Sequence, residues 1–159
     1  LAFTKSQIAA GGALPDSGTV FMSLADRDKA VGLEAARGLV DLGLDVVATS
    51  GTAEHLVANN VPVTTLVAKL GEDGVDAVEL IRSGSVQMVV NSPRGRGPRS
   101  DGEHIRAAAG AEGIPLLTTA NAALAAARGL ADWRRFPLAV RTLQEYHEGI
   151  VAAPEEGLR

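Results

Sequence analysis

The segment Val47-Ala-Thr-Ser-Gly-Thr-Ala53 has the residue types of a phosphate-binding turn. An apolar run leads into small polar residues, and a helical pattern follows directly. Backbone N–H groups at a helix N-terminus face outward at the positive end of the helix dipole, and Gly51 would let an anion approach closely. The hydroxyls of Thr49 and Thr52 add two more donors. The alternative is an ordinary strand-to-helix connection in which Thr52 caps the helix.

Two lysines stand where they could neutralise the same phosphate. Lys29 follows Asp26-Arg27-Asp28 at the expected start of a helix, and Lys69 comes just after the third apolar run. Charge-assisted hydrogen bonds to a phosphate are worth roughly 1.5 to 3 kcal/mol each. The alternative for both is an exposed surface lysine, since acidic residues near a helix start are favoured by the dipole without any ligand.

A side-chain amide and a basic segment follow the fourth apolar run. Asn91 ends that run, and it is either a turn former or a group that contacts a ribose or base beside the phosphate. The next residues are rich in Gly and Pro, which argues against a helix or strand. They carry Arg94, Arg96 and Arg99. This segment is predicted either as a mobile lid over the ligand or as a solvated insert.

Five apolar runs alternate with five segments of helical periodicity. Strands are predicted at 19–24, 44–49, 62–67, 86–91 and 115–118, and helices at 29–42, 52–60, 74–83, 101–112 and 120–131. Short joins between them are typical of a parallel sheet with right-handed crossovers between helix layers. The pattern therefore predicts an α/β protein, a single Rossmann-like three-layer domain with a five-stranded parallel sheet.

Ligands of such open sheets bind at the carboxyl ends of the strands. The polar residues that end or follow the predicted strands should therefore lie together at one edge of the sheet. They are Ser23, Lys29, Thr49, Thr52, Lys69 and Asn91.

The ends of the chain differ in pattern from its middle. Residues 1–17 begin as a short helix-like run and then reach two glycines and a proline, and they are interpreted as the tail of a preceding element plus a linker. The domain is predicted over 18–150, where 138–143 is either an edge strand or a last helix, and 151–159 is expected to be frayed. Because the first residue is Leu rather than Met, we expect the chain to be a piece of a longer protein.

Composition excludes several classes of function. The 159 residues, 46% of them hydrophobic, suffice for one core, and the net charge of −4 favours neither nucleic acid nor an anionic membrane as a partner. The chain has no cysteine, which excludes disulfides and thiolate metal sites and is typical of a cytoplasmic protein. No motif for a metal site, a P-loop or a dinucleotide is present, so no catalytic residue, metal or cofactor is expected in this domain.

Several of these segments, taken together, resemble the C-terminal allosteric domain of the large chain of carbamoyl-phosphate synthase. The resemblance covers nearly the whole chain and lies mainly in residues 21–29, 48–53, 66–69, 80–84, 89–96 and 100–101. It implies the methylglyoxal-synthase-like fold in a cytoplasmic ligase of pyrimidine and arginine biosynthesis. It also implies a regulatory role, because UMP inhibits and IMP or ornithine activates in some members of that family.

The resemblance places a nucleotide site on the same six strand-end residues. It also matches Asp101 and Thr118 to positions that help to hold ornithine at the junction with the synthetase domain. The implied partners are the effector nucleotide, the synthetase domains of the parent chain, the glutaminase small subunit and a second copy. ATP with Mg²⁺ or Mn²⁺ would belong to the parent enzyme. Ser92-Pro93 departs from the two threonines of some members, which leaves one nucleotide contact open.

Two enzymes share the implied fold. A methylglyoxal-synthase-like lyase needs a Gly-Pro-x-Gly-Gly-Asp loop after the third strand, where this chain reads Lys69-Leu-Gly-Glu-Asp-Gly74. An IMP cyclohydrolase domain would continue with Gly-Arg-Val-Lys-Thr-Leu-His-Pro, which is missing here. The lyase is kept as the alternative function, and an oligomerisation module stays open as an additional role.

Overall fold

A computed structural model describes residues 2–9, 13–68, 71–92, 101–135, 142–145 and 147. Within these ranges the strands are β1 (Thr19–Ser23), β2 (Asp45–Thr49), β3 (Thr65–Val67), β4 (Met88–Asn91) and β5 (Leu116–Leu117). The α-helices are α1 (Ala2–Ala9), α2 (Lys29–Asp41), α3 (Ser50–Ala58), α4 (Ala77–Arg82), α5 (Asp101–Ala111) and α6 (Ala120–Arg135). A short 3₁₀ turn, Asp26–Asp28, precedes α2.

The five strands form one parallel sheet in the order β3-β2-β1-β4-β5. The chain winds outward from β1 to β3 and then returns to place β4 on the other side of β1. The strand order therefore reverses between β1 and β4, and a crevice at the carboxyl end of such a switch point is the usual ligand site of an open α/β sheet. The predicted α/β fold with a five-stranded parallel sheet is confirmed.

Alternate residues of each strand serve two different helix layers. Val20 and Met22 belong to a core cluster shared with α2, α3 and α6, whereas Phe21 and Val89 belong to a second cluster shared with α4 and α5. This alternation follows from the period of two in a strand. The sheet is therefore buried on both faces, which explains why its central strands are almost continuously apolar.

Small residues let the helices approach closely. A Cβ placed at Gly38 of α2 would lie 3.2 Å from the Cβ of Ala127 on α6, and the buried side of α6 is mostly alanine. Thin layers of Ala, Val and Leu can thus fill the core of a chain with 3% aromatic residues.

The segment before β1 is attached to the domain at several points. Leu14 is buried in the core, and the Arg134 guanidinium donates to the backbone oxygen of Asp16 at 2.7 Å. The first residue of β1 is held as well, since the Thr19 N–H donates to the side-chain oxygen of Gln87 at 2.7 Å. The helix-like run at the start of the chain is helix α1. The boundary at residue 18 stays a prediction.

Some element ends differ from the predicted ones for local reasons. β3 begins at Thr65 rather than at residue 62, because Pro62 has no N–H and the Val61 N–H is bonded to Leu56 at the end of α3. Helix α3 begins at Ser50, two residues earlier than predicted. Helix α6 continues to Arg135 because Trp133 still packs against the core. Of the segment 138–143, residues 138–141 lie outside the described residues.

Candidate functional site

Three polar side chains form a row across the carboxyl edge of the sheet. Ser23 is paired with Asn91 in the register of β1 and β4, and Thr49 lies on β2 in the position that follows the pair Met22 and Ala48. Each of the three residues comes two positions after a residue of the second core cluster on the same strand. Because side chains alternate along a strand, all three point to the sheet face that this cluster covers. Adjacent strands are about 4.8 Å apart, so the row spans about 10 Å. We call Ser23, Thr49 and Asn91 the polar row.

The N-terminus of α3 lies at one end of the polar row. Thr49 has extended backbone angles and stands at the cap position, but its side chain makes no capping hydrogen bond. The first turn of a helix carries N–H groups without intrahelical partners, and these attract anions. Gly51 lies in that turn and has no side chain to block the approach of a phosphate. This end of the row has the geometry of an anion cradle.

Thr52 has a different role from the predicted cap. Its Oγ1 accepts a hydrogen bond from the Leu24 N–H at 2.9 Å and another from the Thr49 hydroxyl at 3.3 Å. The Thr52 residue is fully buried. The interpretation of Thr52 as an N-cap is therefore wrong, since α3 starts earlier and this hydroxyl is used by β1. In this conformation Thr52 orients Thr49 and the end of β1 rather than presenting itself to a ligand.

A second hydroxyl holds the end of β1 from the other side. The Ala25 N–H donates to the Ser92 Oγ at 2.8 Å, and the Ser92 N–H donates to the backbone oxygen of Ser23 at 2.9 Å. Ser92 and Ala25 are both buried. We call Leu24 and Ala25 the β1 turn. The Ala25 amide is thus bound to the residue that follows β4, and the Leu24 amide is bound to α3.

Asn91 carries a buried donor at the switch point. The residue is 6% exposed, and its Nδ2 has no hydrogen-bond partner. Among the described residues only the Nε2 of His55 shares this condition as a buried side-chain atom. A buried donor left without a partner costs about 1 to 3 kcal/mol. Such a group at the edge where ligands bind is well suited to receive an acceptor from a ligand.

Lys29 lies at the start of α2, with its ammonium 2.8 Å from a carboxylate oxygen of Asp26. The Asp26 side chain is 89% exposed, and ion pairs at such positions contribute only about 0 to 1 kcal/mol. The pair therefore offers little resistance if a phosphate competes for the lysine.

A contact between α2 and the end of α3 indicates the level of Lys29 relative to the cradle. The Arg37 guanidinium on α2 donates to the backbone oxygen of Asn59, just beyond α3, at 2.9 Å. Lys29 lies eight residues before Arg37, and Gly51 lies eight residues before Asn59, which is about 12 Å along each helix. Both helices follow neighbouring parallel strands, so they run in the same direction. Lys29 is therefore roughly level with the first turn of α3.

Of the remaining predicted site residues, only some belong to the described part of the chain. Lys69, Arg94, Arg96 and Arg99 lie outside the described residues. Asp101 is the first residue of α5, but its side chain also lies outside them. Thr118 is exposed just after β5, at the same edge of the sheet as the polar row but beyond β4. No group of three or more potential metal ligands occurs among the described residues.

A comparison with protein families identifies the fold by sequence. The family described as the MGS-like domain matches residues 32–118. The chain belongs to this family. The match begins inside α2 and ends just after β5, so it contains Thr49, Thr52 and Asn91, whereas Ser23 and Lys29 precede it. The methylglyoxal-synthase-like fold implied by the sequence resemblance is confirmed.

Curated proteins similar to this MGS-like domain are named carbamoyl phosphate synthase large chain. The protein from Mycobacterium tuberculosis strain H37Rv is 46% identical over 155 residues, which cover 94% of this chain and 14% of the relative. The protein from Micrococcus luteus is 45% identical over 161 residues, covering 97% and 15%. The protein from Rhodopirellula baltica is 41% identical over 144 residues, covering 91% and 13%. This MGS-like domain thus spans about 14% of the length of these relatives.

Sequence reasoning missed the residues that fix the β1 turn of this MGS-like domain. In the sequence Ser92 stands out only as a departure from a family pattern. Gly32, where an added Cβ would lie 2.3 Å from a terminal carbon of Leu24, lies inside the helical pattern of α2. A glycine inside a helix costs about 1 kcal/mol relative to alanine, which is a signal that a packing reason should be sought. No comparable local signal marks Ser92, because its partner Ala25 is 67 residues away in the sequence.

None of the helices within the described ranges has both the length and the apolar character needed to cross a membrane.

Proposed function

We propose that this chain is the regulatory domain of a carbamoyl-phosphate synthase large chain and that it binds a nucleoside monophosphate effector along the polar row. Two features on either side of Ser23 carry the proposal. One is a helix N-terminus without a side-chain cap, and the other is the unpartnered Nδ2 of Asn91. The named relatives support the parent enzyme, since they cover nearly the whole chain.

The row offers different chemistry at its two ends. At the α3 end, backbone amides, the Thr49 hydroxyl and the Lys29 ammonium suit a phosphate, because each hydrogen bond there is assisted by charge. At the β4 end, the Asn91 amide is neutral and buried, which suits a sugar hydroxyl or a base carbonyl. A ligand with an anionic group at one end and polar neutral groups at the other fits this arrangement. A nucleoside monophosphate such as UMP or IMP has both.

The proposed role is regulatory rather than catalytic. Among the described residues, the polar row contains hydroxyls and an amide but no pair of an acid and a base positioned for proton transfer. The effect of the nucleotide would therefore be exerted on the preceding synthetase domains of the parent chain, which use ATP with Mg²⁺ or Mn²⁺ and ammonia from a glutaminase small subunit. The proposal includes a cytoplasmic location and a role in pyrimidine and arginine biosynthesis.

A second effector site is proposed at the same edge of the sheet. Asp101 begins α5, which connects β4 to β5, and Thr118 follows β5, so both belong to the β4–β5 side of the sheet. A carboxylate and a hydroxyl suit the ammonium groups of ornithine. The sequence resemblance implies that this site lies at the junction with the synthetase domain, so ornithine is expected to bind the parent enzyme more tightly than the separate domain.

Titration calorimetry with UMP, IMP and ornithine tests the proposal. We expect saturable binding of UMP or IMP, and weaker binding of the corresponding nucleoside because it lacks the phosphate. Equal binding of nucleotide and nucleoside would remove the α3 cradle from the proposal. No binding of either nucleotide at millimolar concentration would overturn it.

A further inference from the structure

We propose that Ser92 and Gly32 are positioning residues of the effector site, which act by holding the β1 turn so that Lys29 reaches the phosphate. The inference rests on the nucleotide site proposed above. It adds two residues outside the polar row and gives each a distinct mechanical role.

Ser92 fixes the β1 turn through its backbone and its side chain together. Its N–H donates to the Ser23 oxygen at 2.9 Å, and its Oγ accepts from the Ala25 N–H at 2.8 Å. These two contacts join consecutive peptide groups at the end of β1 to the end of β4. Because Ser92 is 2% exposed, water does not readily replace the hydroxyl if it is removed. The Ala25 amide would then have to move to find a new acceptor.

Gly32 fixes the same turn from inside the core. A Cβ at Gly32 would lie 2.3 Å from one terminal carbon of Leu24, 3.1 Å from the other and 3.3 Å from the Cγ. Leu24 has no exposed surface, so its side chain cannot swing outward to make room. An alanine at residue 32 must therefore displace the Leu24 side chain within the packed core. We infer that part of this displacement reaches the Leu24 N–H, which is bonded to Thr52.

The β1 turn leads directly to Lys29. The Asp28 N–H donates to the Ala25 oxygen at 2.9 Å, so the 3₁₀ turn starts on the residue that Ser92 holds. Lys29 is the next residue after this turn and the first of α2. A displacement of Ala25 is thus passed through one short hydrogen-bonded turn to the backbone of Lys29. Neither Ser92 nor Gly32 needs to touch the ligand for this to affect binding.

Nucleotide titrations of single variants give the first test. Ser92→Ala and Gly32→Ala are each expected to raise the Kd of the nucleotide about ten-fold. Ser92→Thr, which keeps the accepting oxygen, should bind more tightly than Ser92→Ala. Ser83→Ala and Gly110→Ala are the matched controls, because Ser83 is exposed and a Cβ at Gly110 meets nothing within 4 Å. Both controls should bind like the unmodified chain.

A double-mutant cycle separates positioning from general damage. If Ser92 acts through Lys29, then Ser92→Ala should change the Kd by less than about two-fold once Lys29 is already methionine. If Ser92→Ala raises the Kd by the same factor in the Lys29→Met variant as in the unmodified chain, the proposal is overturned. An unchanged Kd in Ser92→Ala alone would also overturn it. Absence of nucleotide binding by the unmodified chain would instead overturn the proposed function and this inference with it. Amide hydrogen exchange provides a ligand-free readout, since Ser92→Ala should accelerate exchange at Ala25 while exchange in α5 stays unchanged.

Discussion

The hydroxyl of Thr52 accepts a hydrogen bond from the backbone N–H of Leu24 at 2.9 Å, and both residues are fully buried. This contact joins the end of β1 to the first turn of α3, two elements that also flank the proposed phosphate position. The Thr49 hydroxyl is drawn into the same cluster at 3.3 Å from Thr52. The cradle is therefore supported by a buried polar contact, and its geometry depends on the stability of that contact.

Removal of the Thr52 hydroxyl is expected to destabilise the fold. In Thr52→Val the shape is kept but the Leu24 N–H loses its acceptor, so the free energy of unfolding should fall by about 1 to 3 kcal/mol. Thr52→Ser keeps the acceptor and should lose less. Urea denaturation followed by circular dichroism measures both, with Thr65→Val on the exposed edge strand as the control. Equal losses for Val and Ser at residue 52 would show that the hydrogen bond does not matter.

Replacement of Asn91 is expected to weaken nucleotide binding without lowering the free energy of unfolding. Asn91→Leu removes a buried amide nitrogen that has no partner, so the free energy of unfolding should stay unchanged or rise. The same change removes a ligand donor, so the Kd of the nucleotide should rise about ten- to a hundred-fold. Calorimetry and urea denaturation on one preparation test both. A variant that binds as well as the unmodified chain would remove Asn91 from the site. Asn121→Leu, exposed on α6, is the control.

Lys29 is expected to contribute charge to binding with little effect on folding. Because its partner Asp26 is exposed, Lys29→Met should change the free energy of unfolding by less than about 1 kcal/mol. The nucleotide Kd should rise about ten- to a hundred-fold, and the dependence of the Kd on salt should become weaker. Lys69→Ala is predicted to have a similar effect on binding. An unchanged Kd in either variant would assign that lysine to the surface.

The chain is expected to lack methylglyoxal synthase activity. Asp73 and Glu72 are exposed in the segment after β3, but the glycine-rich motif that would place a catalytic aspartate is missing. Incubation with dihydroxyacetone phosphate should therefore produce methylglyoxal no faster than buffer alone, as measured by a colorimetric assay of the product. Turnover that scales with protein concentration would favour the lyase instead of the regulatory role.

The sequence by itself determined the kinds of elements and the edge at which the polar residues gather. Runs such as Val46, Val47 and Ala48 are apolar at every position because they are buried on both faces, and this local pattern identifies a parallel strand. Since parallel strands share a direction, Ser23, Thr49 and Asn91 had to lie at the same edge. Local helix signals also gave most element bounds within a few residues.

The tertiary structure alone decided which residues contact one another at the carboxyl edge of the sheet. Whether Thr52 caps its own helix or accepts from another strand depends on Leu24, which is 28 residues away. Ser92 and Gly32 gain their roles from Ala25 and Leu24 in the same way. Hydrogen-bond partners and close contacts of this kind are set by strand order and packing, whereas periodicity and turn residues report only on the immediate neighbours in the chain.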